Sequence, residues 1–182
     1  MAQTLEAQYR PLLEAVAFAA RAHQGQVRKD GRTPYVSHVF RVCLVLRDIF
    51  GITDQRALTA AVLHDTIEDT TTDFDDITNR FGAEIAGWVA TLSKDKRLPF
   101  KEREEAYCRD LAAAPWQVQV CKLADLFDNL LDSGYLPSAK RADAVRKKRR
   151  YLEALQAGLK PEAEAAWRTV ARLFEELEAK SA

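Results

Sequence analysis

The chain has 182 residues, of which 47% are hydrophobic and 30% are charged. This length fits one domain over residues 1–182, and folding such a chain buries about 70% of the surface that its unfolded form exposes. Lys and Arg together number 27, and so do Asp and Glu, so the formal net charge is zero. Because this balance provides no overall field for nucleic acid or an acidic membrane, neither is predicted as a partner, and any recognition of anions must be local.

Cysteine usage and the N-terminus indicate the cell compartment. Cys43, Cys108 and Cys121 are far apart and lack a CxxC spacing, and the first and last of them stand in apolar stretches typical of buried thiols. An odd, sparse set of cysteines suits a reducing compartment. The N-terminal segment lacks an apolar signal region, and no stretch approaches the ~18 apolar residues of a membrane span. We therefore predict a soluble cytoplasmic protein.

Helical periodicity dominates the chain from beginning to end. Apolar residues at helical spacing, with breaks at glycine, proline and polar clusters, separate the helices. In chain order, helices are predicted over 5–23, 35–50, 54–65, two short segments within 74–94 that divide near Gly82, and then 100–113, 115–133, 138–157 and 161–179. The stretch VQVCKL is compatible with a short buried strand, but the apolar spacing around it favours helix. The sequence therefore predicts a compact all-α domain of eight or nine helices.

The most informative motif is HDTIEDT at residues 64–70. His64 and Asp65 are adjacent, so one short turn presents an imidazole nitrogen and a carboxylate oxygen together, a pair that suits a divalent cation. Glu68 and Asp69 add two carboxylates within one more turn. A divalent cation beside a base can turn water into a nucleophile near neutral pH. The alternative is a helix end that carries solvated acids.

Two further residues are candidates to complete such a site, since a catalytic metal takes three or more protein ligands. His38 is one of only three histidines and lies four positions after Pro34, in the first turn of the second predicted helix. Asp125 lies among apolar neighbours in KLADLFDN, where a carboxylate is costly unless it is paired or bound to a cation. The alternatives are an ordinary histidine at position 38 and, for Asp125, a salt bridge to Lys122 or an exposed position.

The order of the motifs AHQGQVRKDG, TPYVSH, AAVLHDTIEDT, FGAEIAGWV, LSK and KLADLFDN resembles the HD-domain hydrolase of the RelA/SpoT family, and above all its stand-alone small alarmone hydrolases. The resemblance covers residues 23–132 and implies a single HD-domain helical bundle. It also implies that one divalent ion, typically Mn²⁺, is held by four ligands: His38, His64, Asp65 and Asp125. Glu68 and Asp69 match the acidic pair that orients and deprotonates the attacking water. For His23 the resemblance favours a structural hydrogen bond over ligation.

The same resemblance gives roles in substrate binding. Arg28 and Lys29 fall on the nucleotide-binding RK pair of the family, whereas composition alone favours a solvated loop there. Asn129 matches the asparagine that contacts the ribose. Lys94 and Lys96 are candidates to reach phosphates, with a flexible surface loop as an equal alternative.

The implied reaction is the metal-dependent hydrolysis of guanosine 3′,5′-bis(diphosphate), or its pentaphosphate relative, to GDP or GTP and pyrophosphate by a metal-activated water. One alternative is an HD phosphohydrolase acting on NADPH or another phosphorylated nucleotide, and another is a catalytically silent nucleotide-binding module.

Several positions depart from the family pattern and concern the substrate more than the metal. Val39 stands where the family often has proline, and Leu126 and Leu131 stand where arginine is common. The C-terminal run KRADAVRKKRR at residues 140–150 spreads its cations over several helix faces without interleaved aromatic residues. We therefore interpret it as a solvated helix rather than a nucleic-acid interface.

Overall fold

The computed structural model describes residues 5–133 and 138–179, apart from the side chains of residues 5, 138–140 and 142. Its α-helices are α1 (Leu5–Ala22), α2 (Val36–Leu44), α3 (Gln55–Leu63), α4 (Thr66–Asp69), α5 (Phe74–Phe81), α6 (Ala83–Leu92), α7 (Phe100–Ala113), α8 (Trp116–Asp132), α9 (Ser138–Ala157) and α10 (Glu164–Ala179). A π-helical turn over Val45–Ile49 follows α2, and a 3₁₀ turn over Pro161–Ala163 precedes α10.

The predicted all-α fold is confirmed. Apart from the one-turn helix α4, nine helices lie within the described residues, and their bounds follow the predicted ones closely. The VQVCKL stretch lies inside α8 and not in a strand. In the described part of the chain, β structure is limited to one isolated bridge between Val27 and Pro34. Within the same part, no helix combines the length and apolarity needed to cross a membrane.

Helices α3 and α8 form the centre of the molecule. Residues 57–63 of α3 are all buried, and so are most residues of α8 from Val118 to Leu130. Each of the three helices α2, α3 and α8 packs against the other two, while α6, α9 and α10 also contact α8. This packing places the first turn of α2 and the end of α3 beside the middle of α8. The site described below forms at that junction.

Local sequence signals set the ends of several helices. Asp54 caps α3, as predicted, because its carboxylate accepts from the backbone N–H groups of Arg56 at 2.9 Å and Ala57 at 3.0 Å. Asp73 and Asp76 form a reciprocal capping box at the start of α5. Gly82 separates α5 from α6 with a φ of 88°, a left-handed conformation that favours glycine. The predicted helix over 35–50 differs only in its last turn, which widens into the π-helical turn that a hydrophobic pattern does not reveal.

The C-terminal part of the chain packs tightly against the rest. Gly158 follows α9, and a Cβ atom at this position would lie 1.8 Å from the carbonyl oxygen of Ala112 in α7. The buried Gln119 of α8 donates to the Gly158 carbonyl at 2.9 Å and accepts from the Lys160 N–H at 2.9 Å. These contacts attach the connection between α9 and α10 to the central helix.

Candidate active site

Three helices bring the four predicted metal ligands to one place. His38 is the third residue of α2, His64 ends α3, and Asp125 lies in the middle of α8. Asp65 joins α3 to α4 with φ −99° and ψ −2°, in the sparsely populated bridge region that active-site residues often occupy. The side chains of His64 and Asp65 thus point into the same space although they are neighbours in sequence.

The ligand atoms converge closely. The Nε2 atom of His38 lies 3.2 Å from Oδ1 of Asp125 and 3.5 Å from Oδ2 of Asp65. The Nε2 atom of His64 lies 3.0 Å from Oδ2 of Asp65 and 3.8 Å from Oδ1 of Asp125. One ligand atom each from His38, His64 and Asp65 falls within 4.8 Å of the others, a group able to hold a metal ion.

Hydrogen bonds to the opposite ring nitrogens orient both histidines. Nδ1 of His64 lies 2.8 Å from the Ala61 carbonyl oxygen, and Nδ1 of His38 lies 2.7 Å from Oδ2 of Asp128. Because a carbonyl and a carboxylate only accept, each Nδ1 carries a hydrogen, which leaves each Nε2 as the ring nitrogen able to bind a metal. Nε2 of His64 is buried, and within the described residues it has no hydrogen-bond partner. This arrangement is typical of metal-binding histidines.

The electrostatics of this group favour a bound cation. Burial alone would lower the pKa of His64, but the carboxylates of Asp65 and Asp125 outweigh it and raise the pKa to about 10. Burial likewise opposes ionisation of Asp125, yet Lys122 and the two histidines hold its pKa well below the usual range. Positive charge at the centre is therefore strongly stabilised, and the residues present fit a divalent metal ion.

Asp125 makes the salt bridge that the sequence offered as an alternative, and it still lies beside the other predicted ligands. Its Oδ2 pairs with Nζ of Lys122 at 2.7 Å, while its Oδ1 faces the two histidines. Asn129, one turn further along α8, donates its amide to the same Oδ1. The salt bridge to Lys122 is thus compatible with the predicted role of Asp125 as a ligand.

The two predicted catalytic acids lie in different surroundings. Glu68 is half-buried, and its Oε2 accepts from the Lys94 backbone N–H at 2.9 Å. Burial raises the pKa of Glu68, and the charges of Asp65 and Asp69 raise it further, against the opposing effect of Lys94. Asp69 is exposed and pairs with Nζ of Lys96 at 2.9 Å. Glu68 is therefore the better proton acceptor near neutral pH.

His23 and Gln26 hold the turn that carries these acids. Nδ1 of His23 lies 2.8 Å from Oε1 of Gln26, and Nε2 of Gln26 donates to the Asp69 carbonyl at 2.6 Å. His23 is buried but lies outside the group of ligand atoms. It makes the structural hydrogen bond that the sequence favoured over ligation.

A pocket of about 190 Å³ adjoins the group of ligands and is lined by four cationic residues. They are Arg28, Lys29, Arg41 and Lys148, and the lining also includes Asn129 and two acids, Asp30 and Asp132. Arg28 pairs with Asp132 at 2.5 Å, and its guanidinium lies 5.5 Å from the ring centre of Tyr35. Of the four predicted substrate-binding residues, the pocket brings together Arg28, Lys29 and Asn129, whereas Lys96 lies beside Asp69.

Comparison with known proteins identifies the family of this chain. The HD domain family matches residues 15–156, which is most of the sequence. The chain belongs to the HD domain family. Two relatives named guanosine-3′,5′-bis(diphosphate) 3′-pyrophosphohydrolase MESH1 are similar to this HD-domain protein. The human one is 43% identical over 122 residues and the Drosophila melanogaster one 40% over 121, covering 66% of this chain and 68% of each relative.

Longer proteins and solved structures extend the similarity. The bifunctional (p)ppGpp synthase/hydrolase SpoT of Escherichia coli K12 is 35% identical over 148 residues, which are 78% of this chain and 21% of SpoT. A solved structure described as a metazoan ortholog of SpoT that hydrolyzes ppGpp is 29% identical, has a TM-score of 0.78 and covers 94% of this chain and 97% of its own. The predicted RelA/SpoT-type resemblance is confirmed.

Four residues of the HD-domain protein escaped the sequence analysis: Tyr35, Arg41, Asp128 and Lys148. The Tyr35 hydroxyl donates to Oδ2 of Asp65 at 2.7 Å, and Nε of Arg41 lies 2.6 Å from Oδ1 of the buried Asp128. A signal existed only for Asp128, which stands three residues after Asp125 and so shares its helix face.

The interpretation of the C-terminal basic run as a solvated helix is wrong for Lys148, while the side chain of residue 140 lies outside the described part of the chain. Arg146 and Lys147 are exposed and pair with Asp143 at 2.6 and 2.7 Å, as a solvated helix would. Lys148 is half-buried instead and lines the pocket. Neither family position that carries leucine here lies on this pocket, since Leu126 is buried in the core and Leu131 is outside the lining. Besides Arg28 and Lys29, the pocket is therefore lined by one cation from α2, Arg41, and one from α9, Lys148.

Proposed function

We propose that this HD-domain protein hydrolyses guanosine 3′,5′-bis(diphosphate), or the corresponding pentaphosphate, at the 3′ position and releases pyrophosphate together with GDP or GTP. One observation carries this proposal. The convergent group of two histidines and two aspartates adjoins a cation-lined pocket, in a chain homologous to enzymes named for this reaction. A metal-binding group suits an attack on phosphorus, and a cationic pocket suits a polyphosphate.

In this proposal His38, His64, Asp65 and Asp125 hold one divalent ion, with Mn²⁺ as the expected metal. Two imidazoles and two carboxylates form a mixed donor set that Mn²⁺ accepts. When bound, the ion lowers the pKa of water and polarises a phosphoryl oxygen. The residues around the ligands keep their donor atoms in place: Asp128 and the Ala61 carbonyl orient the rings of His38 and His64, and Tyr35 orients Asp65.

Glu68 is proposed as the general base that takes the proton from the attacking water. Its raised pKa makes it a stronger proton acceptor than an ordinary glutamate, and its hydrogen bond from the Lys94 N–H fixes its position. Asp69 is proposed to orient the water. Lys96 forms an ion pair with Asp69 and so balances its negative charge. When a substrate binds and breaks this ion pair, Lys96 can bind a phosphate instead.

Arg28, Lys29 and Asn129 are proposed to bind the nucleotide. The guanidinium of Arg28 pairs with Asp132 and lies over the Tyr35 ring, and an arginine plane of this kind can also stack on a base. Asn129 bonds both Asp125 and Arg28 and so connects the nucleotide pocket to the proposed metal ligands. The zero net charge of the chain and its sparse cysteines support a cytoplasmic enzyme that acts on a free nucleotide and not on nucleic acid.

The proposal is tested by incubating the purified protein with Mn²⁺ and guanosine 3′,5′-bis(diphosphate), with and without a chelator, and identifying the products. We expect GDP and pyrophosphate in equal amounts, and no turnover with the chelator. NADPH as a second substrate tests the alternative activity, because its 2′-phosphate would be released as orthophosphate. Hydrolysis of NADPH but not of guanosine 3′,5′-bis(diphosphate) would contradict the proposal, and so would hydrolysis that persists in the presence of the chelator.

A further inference from the structure

Two cations in the nucleotide pocket have no counter-ion of their own. Lys29 lies on the loop before α2, and Lys148 reaches the same pocket from α9. Within residues 5–133 and 138–179, neither lysine makes a hydrogen bond or an ion pair. The two arginines of the pocket differ from them, because Arg28 pairs with Asp132 at 2.5 Å and Arg41 pairs with Asp128 at 2.6 Å.

The position of Lys148 is set by the packing of α9. Val145, one turn earlier, and Leu152, one turn later, are buried in the core, so this face of the helix points inward. Tyr151 on the next turn donates to Glu104 and accepts from Nζ of Lys94 at 2.6 Å, which fixes the helix against the α6–α7 connection. Lys148 therefore enters the pocket from a rigid element, while the neighbouring Lys147 points to solvent.

An unpaired, half-buried lysine beside other cations is unfavourable until an anion binds. Burial and the positive charges of Lys29, Lys122 and Arg28 lower the pKa of Lys148 to about 8, although Asp125 acts in the opposite direction. A phosphate between the two lysines would remove this repulsion and gain charge-assisted hydrogen bonds. Asp30 and Asp132 also line the pocket, but Asp132 is paired with Arg28, so Lys29 and Lys148 give their part of the pocket the charge of a second phosphate-binding subsite.

Building on the proposed hydrolysis of a doubly phosphorylated nucleotide, we propose that Lys148 and Lys29 bind the diphosphate arm that is not cleaved. The cleaved arm must lie at the histidine–aspartate group, beside Glu68. Asn129 stands between that group and the lysine-lined part of the pocket, since it bonds Asp125 and lines the pocket itself. A nucleotide with two phosphorylated arms spans both places, and Lys148 selects for the second arm.

The test compares Lys148→Gln with Lys147→Gln, which removes the same charge from the solvent face of the same helix. With guanosine 3′,5′-bis(diphosphate), Lys148→Gln should raise KM about 10-fold or more and leave kcat within about 2-fold, as expected for the loss of one charge-assisted hydrogen bond in binding. With guanosine 3′-diphosphate, which lacks the second arm, the KM of Lys148→Gln should equal that of the wild type. Lys147→Gln should match the wild type on both substrates, and Lys148→Arg should restore most of the affinity. An unchanged KM for the two-armed substrate, or an equal rise for both substrates, would overturn the proposal.

A binding measurement separates this inference from the proposed function. GDP carries the uncleaved arm, and its affinity can be measured by calorimetry without turnover, with guanosine as the ligand that lacks the arm. We expect the wild type to bind GDP about 10-fold more tightly than Lys148→Gln does, with circular dichroism to verify folding of each variant. If the wild type binds GDP in this way but hydrolyses nothing, the subsite stands and the proposed reaction fails. If hydrolysis occurs and the GDP affinity of Lys148→Gln is unchanged, the subsite fails and the reaction stands.

Discussion

Asp128 accepts the Nδ1–H of His38 at 2.7 Å and thereby turns Nε2 of this ring toward Asp65 and Asp125. Both partners are almost fully buried, with 1% exposure of each side chain. The negative charge of Asp128 is offset by Arg41, whose Nε lies 2.6 Å from its other oxygen. A buried carboxylate behind a histidine fixes the orientation of the ring and raises the basicity of the nitrogen that binds the metal.

Replacing this carboxylate should weaken metal binding. Asparagine in Asp128→Asn can still accept the Nδ1–H, but it lacks the charge that makes the ring a stronger ligand. We expect the affinity for Mn²⁺ to fall about 10-fold, and up to about 100-fold in Asp128→Ala, which also frees the ring. Calorimetric titration of the metal-free proteins measures this directly. Asp143→Asn on the surface of α9 is the matched control, and equal Mn²⁺ affinity in Asp128→Ala and wild type would contradict the assigned role.

Removing the proposed base should abolish most of the turnover while preserving the fold. In Glu68→Gln the side chain keeps its size and can still accept from the Lys94 N–H, but it cannot take a proton. We expect kcat to fall at least about 100-fold, the usual contribution of a general base. Glu105→Gln, at an exposed position of α7, should behave like the wild type. A Glu68→Gln enzyme with wild-type kcat would show that another group accepts the proton.

The raised pKa of Glu68 predicts the acidic side of the pH profile. Glu68 acts in its ionised form, so kcat/KM should decline as the pH falls through its pKa, which lies above the ordinary 4.5 because of burial and the neighbouring acids. Asp69→Asn removes one of those negative charges and leaves Lys96 without its carboxylate partner, while its hydrogen bond to the Glu68 carbonyl remains. Both changes favour the ionised Glu68, so the decline should move to lower pH in this variant. A shift to higher pH would contradict the electrostatic assignment.

Metal removal should lower the thermal stability of the protein. Without a cation, the carboxylates of Asp65 and Asp125 lie close together around His38 and His64, and the one lysine of this group, Lys122, pairs with Asp125 alone. A ligand that binds only the folded state adds about 2.7 kcal/mol at 100 times its dissociation constant. We therefore expect a chelator to lower Tm by several degrees and Mn²⁺ to restore it. In His64→Gln the same addition of Mn²⁺ should leave Tm almost unchanged, and a full response there would argue against this ligand.

Gly158 should be essential for stability but not for the chemistry. An added Cβ would lie 1.8 Å from the Ala112 carbonyl oxygen, so α7 and the end of α9 must move apart in Gly158→Ala. We expect a loss of about 1–3 kcal/mol in the free energy of unfolding, measured by urea denaturation. Gly87→Ala within α6 is the control, because a Cβ there has no atom within 4 Å. Alanine also favours helix over glycine, so this control should be neutral or slightly stabilising.

The sequence by itself determined the helices and the candidate ligands whose signals are local. The bounds of α3, α7 and α8 follow from a capping aspartate, two prolines and an apolar period, all of which act within a few residues. The adjacency of His64 and Asp65, and the cost of Asp125 among apolar neighbours, made these residues candidate metal ligands before any folding was considered. The motif order led from there to the family.

Only the tertiary structure decided which faces of different helices meet. The sequence of the run at 140–150 does not distinguish Lys148, which lines the pocket, from Lys147, which is exposed to solvent. The packing of α9 on α7 and α10 sets the rotation of α9 about its axis and so decides which lysine faces the pocket. In the same way, Arg41 joins Asp128 and Tyr35 joins Asp65 across 87 and 30 positions of sequence. Hydrogen bonds and ion pairs of this kind depend on distances of a few ångströms between elements. Local propensity and periodicity depend only on residues that are near in sequence, so they do not predict those distances.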